Sequence, residues 1–284
     1  TRPGRLRLMT SPAASSTAPP SLDDLRRRID AIDDGLLELI QERAAIVGAI
    51  AAAKRASGSA GAFRPGREAQ VMRRLAGQLS GPFGLPTMVR LWREIMCEFT
   101  RLQGPFSAAV ACTPDRPGLW DLARDHFGGE TPLAGHATAD GVLAAVAAGE
   151  ATVGVLAVPS AAPDGAWWPR LLSGDPDRIR IISRLPFASA GSARGSGLDA
   201  VAVARLPTES SGQDRSFLAL PVADAAEAGR ALQAGGLTLR GTGAVAAGAT
   251  LAEVEGYLDD SDARLAGLPA GTLVLGAYAI PLAE

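Results

Sequence analysis

Residues 22–55 constrain the fold more than any other stretch. Leu22, Leu25, Ile29, Ile32, Leu36, Leu39, Ile46 and Ile50 keep to one helical rhythm, the apolar stripe of a single helix face. Ser21 follows Pro19 and Pro20 and stands before the run, so it reads as an N-cap. Asp23 and Asp24 fall in the first turn, where the helix dipole favours them. No proline interrupts the run before about Arg55, which predicts a helix about 50 Å long. A helix of that length needs a bundle or a dimer seam to cover its apolar face. Two residues break the stripe. Arg43 stands where the rhythm after Leu39 asks for an apolar side chain, and Lys54 follows Ile50 and Ala53. They are eleven residues apart, which places them on nearly the same face about 16 Å apart along the axis. Two cations so placed can bracket a small anion; the other reading is that each snorkels to solvent.

A break at "ASGSAGAF" follows. Pro65 suits the first position of a second helix, "PGREAQVMRRLAGQL", and Pro86 opens a third, "PTMVRLWREIMCEFTRLQ", which Gln103 ends. Glu68 lies in the first turn of the second helix, directly after Arg67. Three cations, a carboxylate and an amide in one polar site would suit a small polyanion that also carries a hydroxyl. After Gly104 the pattern changes. "FSAAVAC" and "ATVGVLAV" read as buried strands with "GLWDLARDHF" and "TADGVLAAVAAG" as helices between them, an α/β layer. From residue 214, "SFLALPV", "AAEAGRALQAGG" and "LTLRGTG", then "ATLAEVEGYL", "SDARLAGL" and "TLVLGAYAI", give βαβ twice, a small split sandwich.

Composition excludes several function classes. The 284 residues carry a net charge of −2, which leaves no global basic footprint for nucleic acid. Cys97 and Cys112 lack metal-ligand spacing, and His126 and His136 are the only histidines, so no metal or cofactor is expected. "AAIVGAIAAA" is too short for a membrane span. Residues 1–20, rich in Pro, Ser and Ala, read as disordered and carry no secretory signal. The expectation is a cytoplasmic protein without membrane or nucleic-acid partners.

The segments "LRRRIDAIDDGLLELIQERAAIVGAIAAAK", "RPGREAQVMRRL" and "LWREIMCEFTRLQ" resemble the all-helical class of chorismate mutases, in the version fused to prephenate dehydratase. The resemblance spans residues 21–104 and implies an interlocked homodimer that isomerises chorismate to prephenate without a cofactor. Its site residues fall on Arg26, Arg43 and Lys54 of the first helix, Arg64, Arg67 and Glu68 around the second, and Gln103 of the third. The implied roles are specific. Lys54 and Gln103 donate to the ether oxygen of the breaking bond, and Arg43 and the partner chain's Arg26 clamp the carboxylates. Glu68 accepts from the ring hydroxyl, Arg67 supports it, and Arg64 makes a weaker contact. Spacing supports the cross-subunit role, since Arg26 precedes Arg43 by about 25 Å of straight helix. Phe99 departs from the pattern: it stands where a serine commonly helps bind substrate.

The whole chain thus reads as multi-domain: a disordered segment 1–20, an all-α three-helix mutase domain 21–104, an α/β prephenate dehydratase-like lobe 105–213 and an ACT-like βαββαβ domain 214–284. The dehydratase lobe reads as degenerate. After Val158-Pro159 stand Ser160, Ala161 and Ala162 in place of an acidic-amide-hydroxyl run, and Arg215-Ser216 replaces Thr-Arg of a Thr-Arg-Phe motif. The phenylalanine-binding elements of ACT domains are also missing from "DAAEAGRAL" and "GTGAVAAG". The leading reading is a chorismate mutase of aromatic amino acid biosynthesis. The alternatives are a bifunctional chorismate mutase–prephenate dehydratase, and a weakly active regulatory partner of another shikimate-pathway enzyme. Trp167-Trp168 reads as core packing in preference to a partner patch.

Overall fold

The computed structural model describes residues 19–57, 62–162, 165–188, 194 and 197–282. The expectation of disorder for residues 1–18 lies outside them. The chain divides into two compact units, residues 1–49 and 50–284.

Helix α1 covers Leu22–Ala56. Its start is a reciprocal cap: Asp24 N–H donates to Ser21 Oγ at 3.1 Å, and Ser21 N–H donates to the Asp24 carboxylate at 3.2 Å. In the first unit the described part of α1 keeps its apolar stripe uncovered. Leu22, Leu25, Ile29, Ile32, Leu36, Leu39 and Ile46 are 40–62% exposed, a face this large being unusual on a monomer.

The second unit begins with the last turns of α1, where Ala51 is the one buried residue of the helix. Helix α2, Pro65–Ala76, has proline at its start, where the missing N–H costs nothing. Helix α3, Leu85–Arg101, follows with Pro86 in its first turn. Both end sooner than the sequence predicts, and Gln103 lies in the turn just beyond α3. Ala69 and Met72 of α2 and Met88, Val89 and Met96 of α3 pack with Phe187, and Ala279 and Leu282 lie against them. These two helices therefore share their core with residues from far down the chain.

Strands β1 (Ala108–Ala111), β2 (Leu133–His136) and β3 (Val153–Ala157) are mutually parallel, with α4 (Gly118–Phe127) and α5 (Ala139–Ala148) as crossovers. Thr138 caps α5 by accepting from Gly141 N–H, and Gly149 ends it in the left-handed region. Strands β4 (Arg180–Leu185) and β5 (Ala200–Ala204) complete this half. Residues along β5 alternate between two cores, as a strand period of two requires. Val201 and Val203 face α5, Trp168 and Leu171, while Ala200, Ala202 and Ala204 face Phe106, Leu122 and Phe127. Trp168 is fully buried, and Trp167 donates from Nε1 to Ala157 O at 2.9 Å; both serve packing.

The C-terminal half runs β6 (Asp214–Leu220), α6 (Ala225–Ala234), β7 (Leu239–Ala246), β8 (Ala249–Glu255), a 3-10 turn at Ala263–Gly267, and β9 (Leu273–Ala279). The βαββ part follows the sequence reading, but the second predicted helix is only that short 3-10 turn. Among the described residues all nine strands form one sheet, in the order β2-β1-β3-β5-β4-β9-β6-β8-β7. The two halves meet where β4 and β9 pair in parallel at Ile181 and Gly276. Gly276 has φ +145, and a Cβ there would run into the Ile181 backbone, so the seam between the halves requires glycine.

Candidate active site

Lys54, in the last turn of α1, and Gln103, just past α3, come together although 49 residues separate them. Lys54 Nζ lies 3.5 Å from Gln103 Oε1, a long contact in a part-buried setting. The amide nitrogen of Gln103 donates to Phe99 O at 3.0 Å, which fixes which way the carboxamide faces. A carboxamide has two N–H hydrogens, so Nε2 carries a second hydrogen besides the one given to Phe99 O, while Oε1 is the atom that faces the ammonium. Phe99 is 5% exposed. Its backbone orients Gln103, and its side chain carries a ring in place of a serine's hydroxyl.

Glu68 of α2 is buried and is bonded to a residue the sequence reading missed. Arg93 of α3 donates from Nη1 to Glu68 Oε2 at 2.7 Å, with side chains 5% and 11% exposed. Arg93 also lies over the Phe187 ring, 5.2 Å from its centre. Cys97, one turn further along α3, has its thiol pushed up to about 12 by burial and then by the charge of Glu68. His126 of α4 is buried, and burial followed by the charge of Arg93 holds its pKa well below the ordinary value. A signal for Arg93 did exist: it sits at helical spacing between the apolar residues Val89 and Met96, the same interruption that singles out Arg43 and Lys54.

The other predicted residues are engaged differently. Arg67 is exposed and donates to Gln70 at 3.2 Å. Arg64 donates to Glu209 at 2.7 and 3.2 Å. Arg73 donates to Ser211 O at 3.3 Å, Ser211 Oγ at 2.9 Å, Gln213 O at 2.9 Å and Ile280 O at 2.8 Å. The outer side of α2 is thus fastened to residues 209–213 and to the end of β9. In the first unit, Arg26 pairs with Asp23 at 3.2 Å on the exposed helix surface. Arg43 is half-buried.

Away from these residues a cavity of about 670 Å³ opens at the carboxyl ends of β1, β2 and β3, with Cys112, Thr113, Arg116, Thr138 and Arg194 in its wall. Ser160 is spent on its own turn, where its Oγ accepts from Ala162 N–H. Ser216 is buried between Gly256 O and Leu258 N–H, each at 2.9 Å. Neither serine lines this cavity.

Residues 25–104 match the family model of chorismate mutase type II. Three curated relatives are each a bifunctional chorismate mutase/prephenate dehydratase. The protein of Pseudomonas aeruginosa is 37% identical over 141 residues, that of Stutzerimonas stutzeri 36% over 141, and that of Neisseria gonorrhoeae 35% over 103. These matches take in 48%, 48% and 36% of this chain and 38%, 38% and 27% of the relatives' own lengths. Among solved structures, the prephenate dehydratase of Arthrobacter aurescens in complex with L-Phe is 14% identical. It covers 61% of this chain and 89% of its own, with a TM-score of 0.45. GqqA, described as a novel type of quorum quenching acylase, is 18% identical over 62% of this chain and 94% of its own, with a TM-score of 0.42. At these scores the likeness does not establish a shared fold for the α/β part. What the sequence match and the three helices do establish is local: residues 25–104 are a chorismate mutase type II domain.

Proposed function

We propose that this chain is an active chorismate mutase that converts chorismate to prephenate in aromatic amino acid biosynthesis. The reaction is a pericyclic [3,3] rearrangement and needs no nucleophile. The enzyme's work is to hold a dianion in its compact conformer and to stabilise the charge that develops on the ether oxygen. The observation that carries the proposal is the meeting of Lys54 and Gln103 at 3.5 Å. A cation beside a neutral amide supplies the two kinds of donor such a transition state requires. Arg43 and Arg26 of the partner subunit take the two carboxylates, arginine being suited to bidentate pairing. Glu68 accepts from the ring hydroxyl, and Arg67 and Arg64 add positive potential at the rim.

The homodimer belongs to the same proposal. The uncovered stripe of α1 in the first unit, Leu22 to Ile46, is the face a second copy would bury. Each such side chain contributes roughly 1.5–3 kcal/mol when fully removed from water. Dehydratase chemistry is not part of the proposal, because Ser160 and Ser216 are absorbed in local structure. The test is incubation of the purified chain with chorismate and identification of the product. Prephenate alone is the expected result. Phenylpyruvate would restore the bifunctional reading, and unconsumed chorismate would favour a regulatory partner.

A further inference from the structure

We propose that Arg93 is a positioning residue of the mutase reaction, fixing the carboxylate of Glu68 for the substrate hydroxyl. The inference rests on the reading above that Glu68 faces that hydroxyl. Val89, Arg93, Met96 and Thr100 follow one another at helical spacing on α3, and all four are buried. An arginine 4% exposed on such a face is not there for solubility. Its Nη1 meets Glu68 Oε2 at 2.7 Å, and Phe187 lies across its guanidinium at 5.2 Å. A buried ion pair costs desolvation at both ends and is weak evidence for stability by itself. What it provides here is a carboxylate in one orientation and one charge state. A carboxylate accepts a hydrogen bond at both oxygens only when ionised.

Arg93 is bonded to Glu68 directly, and the titratable groups of α2, α3 and α4 nearby are engaged as follows. On α3, Cys97 has its thiol pushed up to about 12 and stays neutral at working pH. Glu94, also on α3, accepts from Gly129 N–H at 3.0 and 3.1 Å. On α4, His126 is kept neutral by burial and by Arg93 itself. Arg67 on α2 is exposed and bonded to Gln70. Because Phe187 and His126 come from the α/β part of the second unit, that part sets the orientation of a mutase side chain.

The experiment measures kcat and KM for chorismate from pH 5 to 8 in the full chain, R93K, R93Q and the double variant E68Q/R93Q. Circular dichroism and melting check folding at each point. The unaltered chain gives a flat kcat/KM profile. R93Q removes the guanidinium bonded to a buried carboxylate, which raises the carboxylate's pKa. Its kcat/KM then falls about tenfold per pH unit below a new midpoint in this range, with the loss mainly in KM. R93K keeps the flat profile at reduced rate. E68Q/R93Q, a neutral pair of similar shape, is also flat but at least about thirtyfold less efficient, the loss of one charged hydrogen bond to substrate. An R93Q profile parallel to that of the unaltered chain overturns the assignment. So does an acid limb that survives in E68Q/R93Q. If R93Q does not fold, a double variant as efficient as the unaltered chain overturns it instead. An unaltered chain that leaves chorismate unchanged overturns the mutase reading together with this inference, and a fully efficient double variant overturns the role of Glu68 with it; the other outcomes touch the inference alone.

Discussion

Replacing Arg73 with alanine tests how firmly α2 is held by the distant end of the chain. The guanidinium donates to three backbone carbonyls, of Ser211, Gln213 and Ile280, and to Ser211 Oγ, at 2.8–3.3 Å. It also lies 5.9 Å from the Phe187 ring centre. A hydrogen bond to a charged group contributes about 1.5–3 kcal/mol when buried. Four would sum to far more than is expected here, because Arg73 is half-buried and water can reach most of the carbonyls once it is gone. The discounted loss is about 2–3 kcal/mol. For a unit of this size that corresponds to a fall in melting temperature of roughly 4–12 °C. The assay is urea unfolding with thermal melting as a second probe, and Arg74→Ala as the control, Arg74 being exposed on the same helix. A lowered midpoint with an unchanged m-value is the expected result. A loss within about 0.5 kcal/mol, the level of an ordinary surface change, would refute the view that this arginine fastens α2 to residues 211–213 and 280.

Two further predictions concern the reaction. Gln103→Glu should lose activity at neutral pH, where a carboxylate would repel the developing oxyanion, and regain it on acidification as the glutamate protonates above or near its ordinary value of about 4.3; kcat/KM against pH checks this, and a mutant profile parallel to that of the unaltered chain contradicts it. Arg26→Ala and Arg43→Ala should each be nearly inactive as homodimers, and mixing them should restore one intact site per heterodimer; no recovery after demonstrated subunit exchange would end the cross-subunit role.

The helices were legible because their ends carry local chemistry: Ser21 with Asp24, Pro65 and Pro86 mark starts that no tertiary contact has to supply. Strand β2 was not, since Leu133–His136 is four residues long, includes Gly135 and lies at the sheet edge, where no apolar run is needed. The joining of both halves into one sheet was hidden as well. It turns on Gly276, which inside "TLVLGAYAI" reads as an ordinary strand glycine until Ile181 is seen against it. At the candidate site, Lys54 announced itself by interrupting an apolar stripe, and the family resemblance supplied Gln103. Arg93 interrupts its own stripe in the same way, yet a sequence gives no hint that Glu68, 25 residues away, is its partner. The contacts of Arg64 and Arg73 span 138 to 207 residues, and nothing local encodes them.

In the proposed mechanism Lys54 and Gln103 form the reacting end of the site. The most direct measurement is kcat/KM for chorismate, with prephenate identified as product, in the unaltered full chain and in Lys54→Met. Methionine keeps an unbranched side chain out to Cε and removes the charged nitrogen beyond it. Loss of one donor to a developing oxyanion costs about 10²–10³ in rate, so the variant should fall by at least about a hundredfold while remaining folded. A folded Lys54→Met protein that makes prephenate within about threefold of the unaltered rate, where a donor loss predicts at least a hundredfold, would contradict the account.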